Sequence, residues 1–212
     1  MTVTLAPSAA LEALCPSDDP RTWMHRPFTA AGMRAATNGH MLIALHQTTP
    51  GEDTPGIAKN LPELLTKALA AIFDPARDWT RLDSITLPER RECRHCEGEG
   101  HIYETKCPDC DGEGDFQHGS HWYECKECDG NGTTKSAAPQ SPDHTPTKCW
   151  TCAGTGEAPQ PAAAVGAHYG SHYLRLLASL PNCEITAPEH PLATTFCRFD
   201  GGVAIVMPRH AD

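Results

Sequence analysis

Eight cysteines stand at a spacing that can hold metal. They come as four copies of one pattern, C-x-x-C-x-G-x-G: Cys93-Arg-His-Cys96-Glu-Gly98-Glu-Gly100, Cys107-Pro-Asp-Cys110-Asp-Gly112-Glu-Gly114, Cys125-Lys-Glu-Cys128-Asp-Gly130-Asn-Gly132 and Cys149-Trp-Thr-Cys152-Ala-Gly154-Thr-Gly156. Two residues between cysteines let both sulfurs of a tight knuckle face one ion. The glycines that follow permit positive φ and leave backbone N–H groups free to point at the thiolates. Two knuckles supply four sulfurs, enough for a closed tetrahedral structural site. Metal binding at such a site is folding energy. Eight thiolates therefore predict two zinc ions.

The rest of the composition agrees with a metalloprotein. Of the 11 cysteines, an odd number, eight lie in C-x-x-C pairs, which argues for ligation over a disulfide framework. The formal charge is -10, and two zinc ions on eight thiolates would take it to about -14, a poor balance for nonspecific phosphate binding. No apolar run reaches membrane-spanning length, and Met1–Leu14 has neither the basic start nor the apolar core of a signal peptide. The expected location is cytoplasmic, with no membrane partner.

The elements that must carry these cysteines divide by composition. Residues 93–156 are rich in Cys, Gly, Asp and Glu and poor in aliphatic residues, whereas the flanks are apolar and patterned. Residues 33–45 predict two strands around a turn at Asn38-Gly39. Leu61, Leu64, Leu65, Ala68, Leu69 and Ile72 recur at helical spacing, with Asn60 as the expected cap, Pro62 in the first turn and Glu63 three residues after the cap. A strand is expected at 84–87. Ser171 is the expected cap of a helix bearing Tyr173, Leu174, Leu176, Leu177 and Leu180. Strands at 183–186, 194–199 and 203–207 follow, the last two joined at Asp200-Gly201-Gly202. Thr133–Thr147 and Ala158–Gly166 read as flexible by composition. The expected class is α+β, with residues 1–90 and 169–212 forming one split domain. Residues 91–157 would be the zinc module inserted in it, and 158–168 a linker.

The four repeats resemble the cysteine-rich zinc domain of DnaJ-type chaperones, over about 64 residues and at all eight cysteines and eight glycines. The resemblance implies an extended two-zinc β-hairpin in which the first and fourth repeats share one ion and the second and third share the other. Carried over, Cys93, Cys96, Cys149 and Cys152 form site one, and Cys107, Cys110, Cys125 and Cys128 form site two. The gap from Cys128 to Cys149 is longer than the family's and Pro-rich. No His-Pro-Asp triplet of a J-domain occurs in the chain, so the resemblance carries the metal sites further than the co-chaperone activity.

The flanks resemble a domain of the bacterial DNA polymerase sliding clamp. Ala36-Thr-Asn-Gly-His-Met-Leu42 is similar to the clamp's A-T-D-G-H-R-L segment, with Asn38 for Asp and Met41 for Arg. Tyr173-Leu-Arg-Leu-Leu177 through Phe199-Asp-Gly-Gly-Val-Ala-Ile-Val-Met207-Pro208 resembles the helix, strands and V-M-P close of the clamp, although Arg-His-Ala-Asp follows here. In that family the final residues line a hydrophobic groove for partner peptides, which the resemblance assigns to Met207 and Pro208.

The remaining candidates read as structural. His95, His118 and His121 are expected to be solvated, His40 to support its turn, and Cys183 and Cys197 to be small buried hydrophobes. The acidic run Glu97, Glu99, Asp109, Asp111, Glu113 and Asp115 is expected on a solvated face, because it lacks the calcium-loop pattern. With no phosphate loop, nucleophile elbow or H-E-x-x-H, no catalytic residue is expected. The expectation is a non-enzymatic binding protein with a protein partner and no small-molecule substrate. The clamp echo suggests a virus- or mobile-element-encoded accessory factor of DNA replication, and DnaJ-like binding of unfolded protein is the alternative. Trp122, Tyr123 and Trp150 on the module, with Met207 and Pro208, are the candidate partner contacts. Direct DNA contact and oligomeric state stay open.

Overall fold

A computed structural model describes residues 5–16, 19–47, 51–138, 146–149, 151–152 and 154–210. The chain is of mixed α/β class and divides into two compact units, Met1–Glu89 with Gln160–Asp212, and Arg90–Pro159. In chain order the first part of unit 1 contains α1 (Pro7–Leu14), β1 (Phe28–Ala30), β2 (Met33–Thr37), β3 (Met41–Leu45), α2 (Leu61–Ile72) and β4 (Trp79–Arg81). Unit 2 contains β5 (His101–Lys106), β6 (Asp115–His118), β7 (His121–Glu124), β8 (Thr133–Ser136) and β9 (Pro146–Lys148). Unit 1 resumes with β10 (Pro161–Ala164), β11 (Ala167–Gly170), α3 (Ser171–Ala178), β12 (Glu184–Thr186), β13 (Thr195–Phe199) and β14 (Gly202–Val206).

Unit 1 is a seven-stranded antiparallel sheet in the order β1-β2-β3-β14-β13-β12-β4. Its central strands are buried on both faces, so they read as continuous apolar runs, Met-Leu-Ile-Ala-Leu in β3 and Val-Ala-Ile-Val in β14. Side chains alternate between the faces. Met41, Ile43, Ala204 and Val206 pack with α1, α3 and the β10–β11 hairpin. Leu42, Ala44, Val203 and Ile205 pack under α2. On the first face the buried Tyr169 hydroxyl lies 2.7 Å from the Thr195 hydroxyl, so the polar tip of this core aromatic is satisfied.

The sheet contains an internal repeat. A helix followed by three antiparallel strands occurs twice, as α1-β1-β2-β3 and as α3-β12-β13-β14. The two copies meet where β3 pairs with β14, Met41 opposite Val206 and Leu45 opposite Gly202. Both helices lie on the same face. The β2–β3 turn is drawn in by side chains: Asn38 Oδ1 accepts from the N–H groups of His40 and Met41, and its amide donates to the Tyr173 hydroxyl at 3.0 Å. The loop proper is Gly39-His40, one residue later than Asn38-Gly39, because Asn38 N–H bonds to Met41 C=O and continues the ladder. Gly39 takes the first central position at φ +90°, as a II′-type turn demands.

Several local expectations are corrected. The strand expected at 84–87 lies earlier, at Trp79–Arg81, and Leu82–Ser84 form a 3-10 turn. Ile85 and Leu87 are instead held by packing against the core. Asn60 makes no side-chain capping bond because its own backbone is already helical, and Glu63 pairs with Lys67 one turn on. Ser171 is the first helical residue of α3, buried, with Gly170 at the cap position. Residues 158–168 are not a plain linker: β10 and β11 pair there, and Ala162 and Ala164 enter the core. Small apolar alternation drives that hairpin, and an Ala/Pro composition hides it. Likewise Thr133–Ser136 and Pro146–Lys148 are strands on either side of β5, whereas residues 139–145 of the same stretch lie outside the described residues.

Unit 2 is a ladder of short antiparallel pieces. A bridge between Glu92 and Glu157 closes its base. The three-stranded sheet β8-β5-β9 follows, and the β6–β7 hairpin forms the far end. Its interior holds few aliphatic side chains: its two buried clusters are four cysteines with Ile102, and four cysteines alone.

Two four-cysteine centres and an apolar groove

Each repeat folds into the same knuckle. The N–H of the first glycine bonds back to the C=O of the first cysteine, as in Gly98 to Cys93 at 3.2 Å and Gly130 to Cys125 at 3.0 Å. In the first three repeats the residue between the second cysteine and that glycine takes a left-handed conformation, φ +51° at Glu97, +50° at Asp111 and +46° at Asp129. The second glycine then aims its N–H at the second sulfur: Gly100 to Cys96, Gly114 to Cys110 and Gly132 to Cys128 at 3.2 Å, and Gly156 to Cys152 at 3.3 Å. An N–H donor at the sulfur favours the thiolate and holds it in place.

The knuckles pair face to face. Cys93, Cys96, Cys149 and Cys152 form one buried group, and Cys107, Cys110, Cys125 and Cys128 form the other, with the sulfurs of each group within 4.8 Å of one another. Closest approaches are 3.9 Å between Cys93 and Cys149, 3.6 Å between Cys96 and Cys152, 3.8 Å between Cys107 and Cys125, and 3.7 Å between Cys110 and Cys128. A tetrahedron of sulfurs about 2.3 Å from a zinc ion has edges of about 3.8 Å. A disulfide requires about 2.05 Å, and all eight thiols are free. The donor set thus fits a four-thiolate ion at each group, and the two groups fit two zinc ions.

Backbone contacts fix the same pairing without the sulfurs. Cys93 N–H bonds to Gly156 C=O and Cys149 N–H to Gly100 C=O. Cys107 N–H bonds to Gly132 C=O and Cys125 N–H to Gly114 C=O. Each second glycine lies against the first glycine of the facing knuckle. A Cβ at Gly156 would stand 2.1 Å from Gly98 O, and one at Gly132 2.4 Å from Gly112 O. This close approach, together with positive φ, requires glycine there. The residue just before each knuckle lies beside its first glycine: Glu92 and Lys148 at one site, Lys106 and Glu124 at the other.

Without an ion the thiols do not titrate alike. Burial pushes Cys128 and Cys152 up to about 12. Burial acts upward on Cys110 too, but the Gly114 N–H and the neighbouring thiols outweigh it and bring that group down to about 7. An ion that binds all four as thiolates must therefore displace protons. Cys183 and Cys197 are separate from these sites, buried in unit 1 as small apolar groups, with Cys183 pushed up to about 12 by burial.

No histidine joins either group among the described residues. His95, His118 and His121 are exposed. His40 is exposed as well and stacks on Tyr173, ring centroids 6.4 Å apart. The acidic run lies exposed beside the knuckles, as expected. Trp122 and Tyr123 stand on β7, exposed, while Trp150 lies outside the described residues.

Unit 1 carries a cavity of about 250 Å³. One wall comes from the β2–β3 turn, with Thr37, His40, Met41 and Leu42. The neighbouring strand β14 contributes Ile205 and, just past its end, Met207, and α2 contributes Leu61 and Leu64. Met207 is half exposed, and its N–H bonds to His40 C=O, which extends the β3–β14 ladder by one step. Pro208 does not line it. No residue pattern marks Leu61 and Leu64 as lining a cavity. Their helical spacing marks a core-facing stripe, Leu61 is buried in that core and Leu64 packs against it, and both also line the cavity.

These features define a zinc-finger-like module with two metal centres and a separate mixed α/β unit, and no helix among the described residues is long and apolar enough to cross a membrane. Compared with protein-family models and with curated proteins, the chain matches none.

Proposed function

We propose that this chain is a non-enzymatic protein-interaction protein of DNA replication, in which a sliding-clamp-like domain seats a partner peptide and the zinc module offers a second contact surface. One observation carries the reading. The two segments that resemble the clamp are distant in sequence, yet they lie side by side, β3 paired with β14, and together line one apolar groove with Thr37, Met41, Leu42, Ile205 and Met207. The repeated helix-and-three-strand unit supports it, since the clamp is built from repeated units of this kind. A cavity of about 250 Å³ suits one or two apolar side chains of a peptide, with His40 and Asn60 available for polar contacts. The test is affinity capture with the wild-type chain and with Met207→Asp. The wild type should retain a DNA-replication protein, and the variant should lose it while keeping both metal ions. Recovery of no replication protein, or equal recovery by both chains, contradicts the proposal.

The exposed Phe116, Trp122 and Tyr123 favour a second reading, a DnaJ-like module that holds unfolded chains. It predicts that the chain suppresses aggregation of a denatured protein at high salt as well as at low.

A further inference from the structure

The far end of unit 2 is an unpartnered sheet. All eight residues of β6 and β7 are exposed. Phe116 faces Tyr123 directly across the ladder, and their rings stack with centroids 6.0 Å apart and an interplanar angle of 23°. Both stay about half exposed although they stack on each other and Tyr123 also meets the His121 ring. They border an open cavity of about 740 Å³ whose other lining side chains include Asp109, Glu124, Glu127 and Asp129. Among the described residues none of these four carboxylates is in an ion pair, and Lys126 is the single cation beside them.

The charge of this end is one-sided. From Cys107 to Gly132 the chain carries seven carboxylates and one lysine. A divalent ion held by four thiolates leaves site two with a further net negative charge. Such a field repels phosphate backbones, so nucleic acid is the wrong partner for this face. A field of this sign also attracts cations, and stacked aromatic rings present faces that guanidinium and ammonium groups favour. Apolar chains without charge would find two aromatic side chains on this face, Phe116 and Tyr123, bordered by carboxylates.

We propose that the β6–β7 face is a docking surface for a basic peptide segment of a partner protein, with arginine or lysine side chains over Phe116 and Tyr123 and between Asp109, Glu127 and Asp129. The inference deepens the protein-interaction reading by giving the module's surface a partner chemistry, and it uses nothing from the groove in unit 1.

The experiment is a fluorescence-anisotropy titration of a labelled oligo-arginine peptide into the zinc-loaded full-length chain, at low and at physiological salt. Saturable binding that weakens with salt is expected. Phe116→Ala with Tyr123→Ala should reduce affinity about tenfold or more, whereas Phe116→Tyr should retain it. Glu127→Gln with Asp129→Asn should also weaken binding and flatten its salt dependence, with the aromatic pair intact. Metal content of each variant confirms that the module is folded. Equal binding by the aromatic double variant would overturn the proposal, as would equal binding of an oligo-glutamate peptide, or of a denatured apolar chain at high salt. Met207→Asp separates the two surfaces: if it loses the replication partner yet binds oligo-arginine fully, the groove and the β6–β7 face act independently.

Discussion

The two metal centres share one internal geometry and differ in everything around it. In both, facing knuckles cross at their glycines, and the second glycine of each knuckle donates to the second sulfur. Site one is sealed by Ile102, fully buried from β5, and its flanks balance Arg90, Arg91, Arg94 and Lys148 against Glu92, Glu97, Glu99 and Glu157. Among the described residues site two has no aliphatic seal: its cluster is four cysteines alone, bordered by carboxylates and the exposed β6–β7 hairpin. The eight-residue repeat therefore specifies the coordination, and the segments between repeats specify the environment. A structural centre needs the first, and what separates a support from a presenting surface is the second.

The largest effect that could break this comparison is removal of both ions. Because unit 2 buries so few aliphatic side chains, metal supplies its folding energy, about 10–16 kcal/mol for a structural zinc site. Chelation should erase amide-exchange protection across 101–148 and leave the β3–β14 ladder of unit 1 protected. Loss of protection in both units would show that unit 1 depends on the ions.

Next come the glycine crossings. Gly156→Ala should expel the ion from site one alone, and Gly132→Ala from site two alone, because each Cβ would strike a carbonyl of the facing knuckle. Native mass spectrometry should count one ion in each variant. Retention of both ions would mean that the knuckles have more slack than their contacts indicate.

The sealing of site one gives a smaller effect. Ile102→Ala should cost about 2–5 kcal/mol as a cavity beside the metal, and it should bring the rate of zinc loss to a chelator at site one toward that at site two. In the wild type, site two should empty first. Equal rates in the wild type would remove the distinction between the two environments.

Acid provides the gentlest probe. In the metal-free chain Cys128 and Cys152 hold their protons up to about 12, so the free sites bind protons that the loaded sites do not. Metal affinity must then fall as pH falls through the neutral range and rise as pH is raised. A pH-independent affinity, read by competition with a zinc indicator, would contradict four-thiolate ligation.

Much of this was legible in advance, for a physical reason. Strict spacing with paired glycines has few solutions, and Cys93, Cys96, Cys149 and Cys152 meet as the family resemblance implied. Continuous apolar runs such as Met41–Leu45 marked the central strands equally well. Short or composition-masked elements were not legible. Leu11 and Leu14 alone do not announce α1, and the alanines of β10 read as a linker although they are core. The groove was half legible: Met207 was marked by resemblance, but Leu64 lines it only because α2 comes to rest beside the β2–β3 turn. Sequence periodicity reports which side of a helix is apolar and says nothing of how far its neighbour covers it.

The central claim is that eight thiolates hold two ions in two separate centres. Native mass spectrometry of the intact chain, purified under reducing conditions with zinc present, tests it most directly. Two zinc ions per chain are expected, with all eight repeat cysteines protected from alkylation. One ion or none in undamaged protein, or repeat cysteines joined as disulfides, would contradict it.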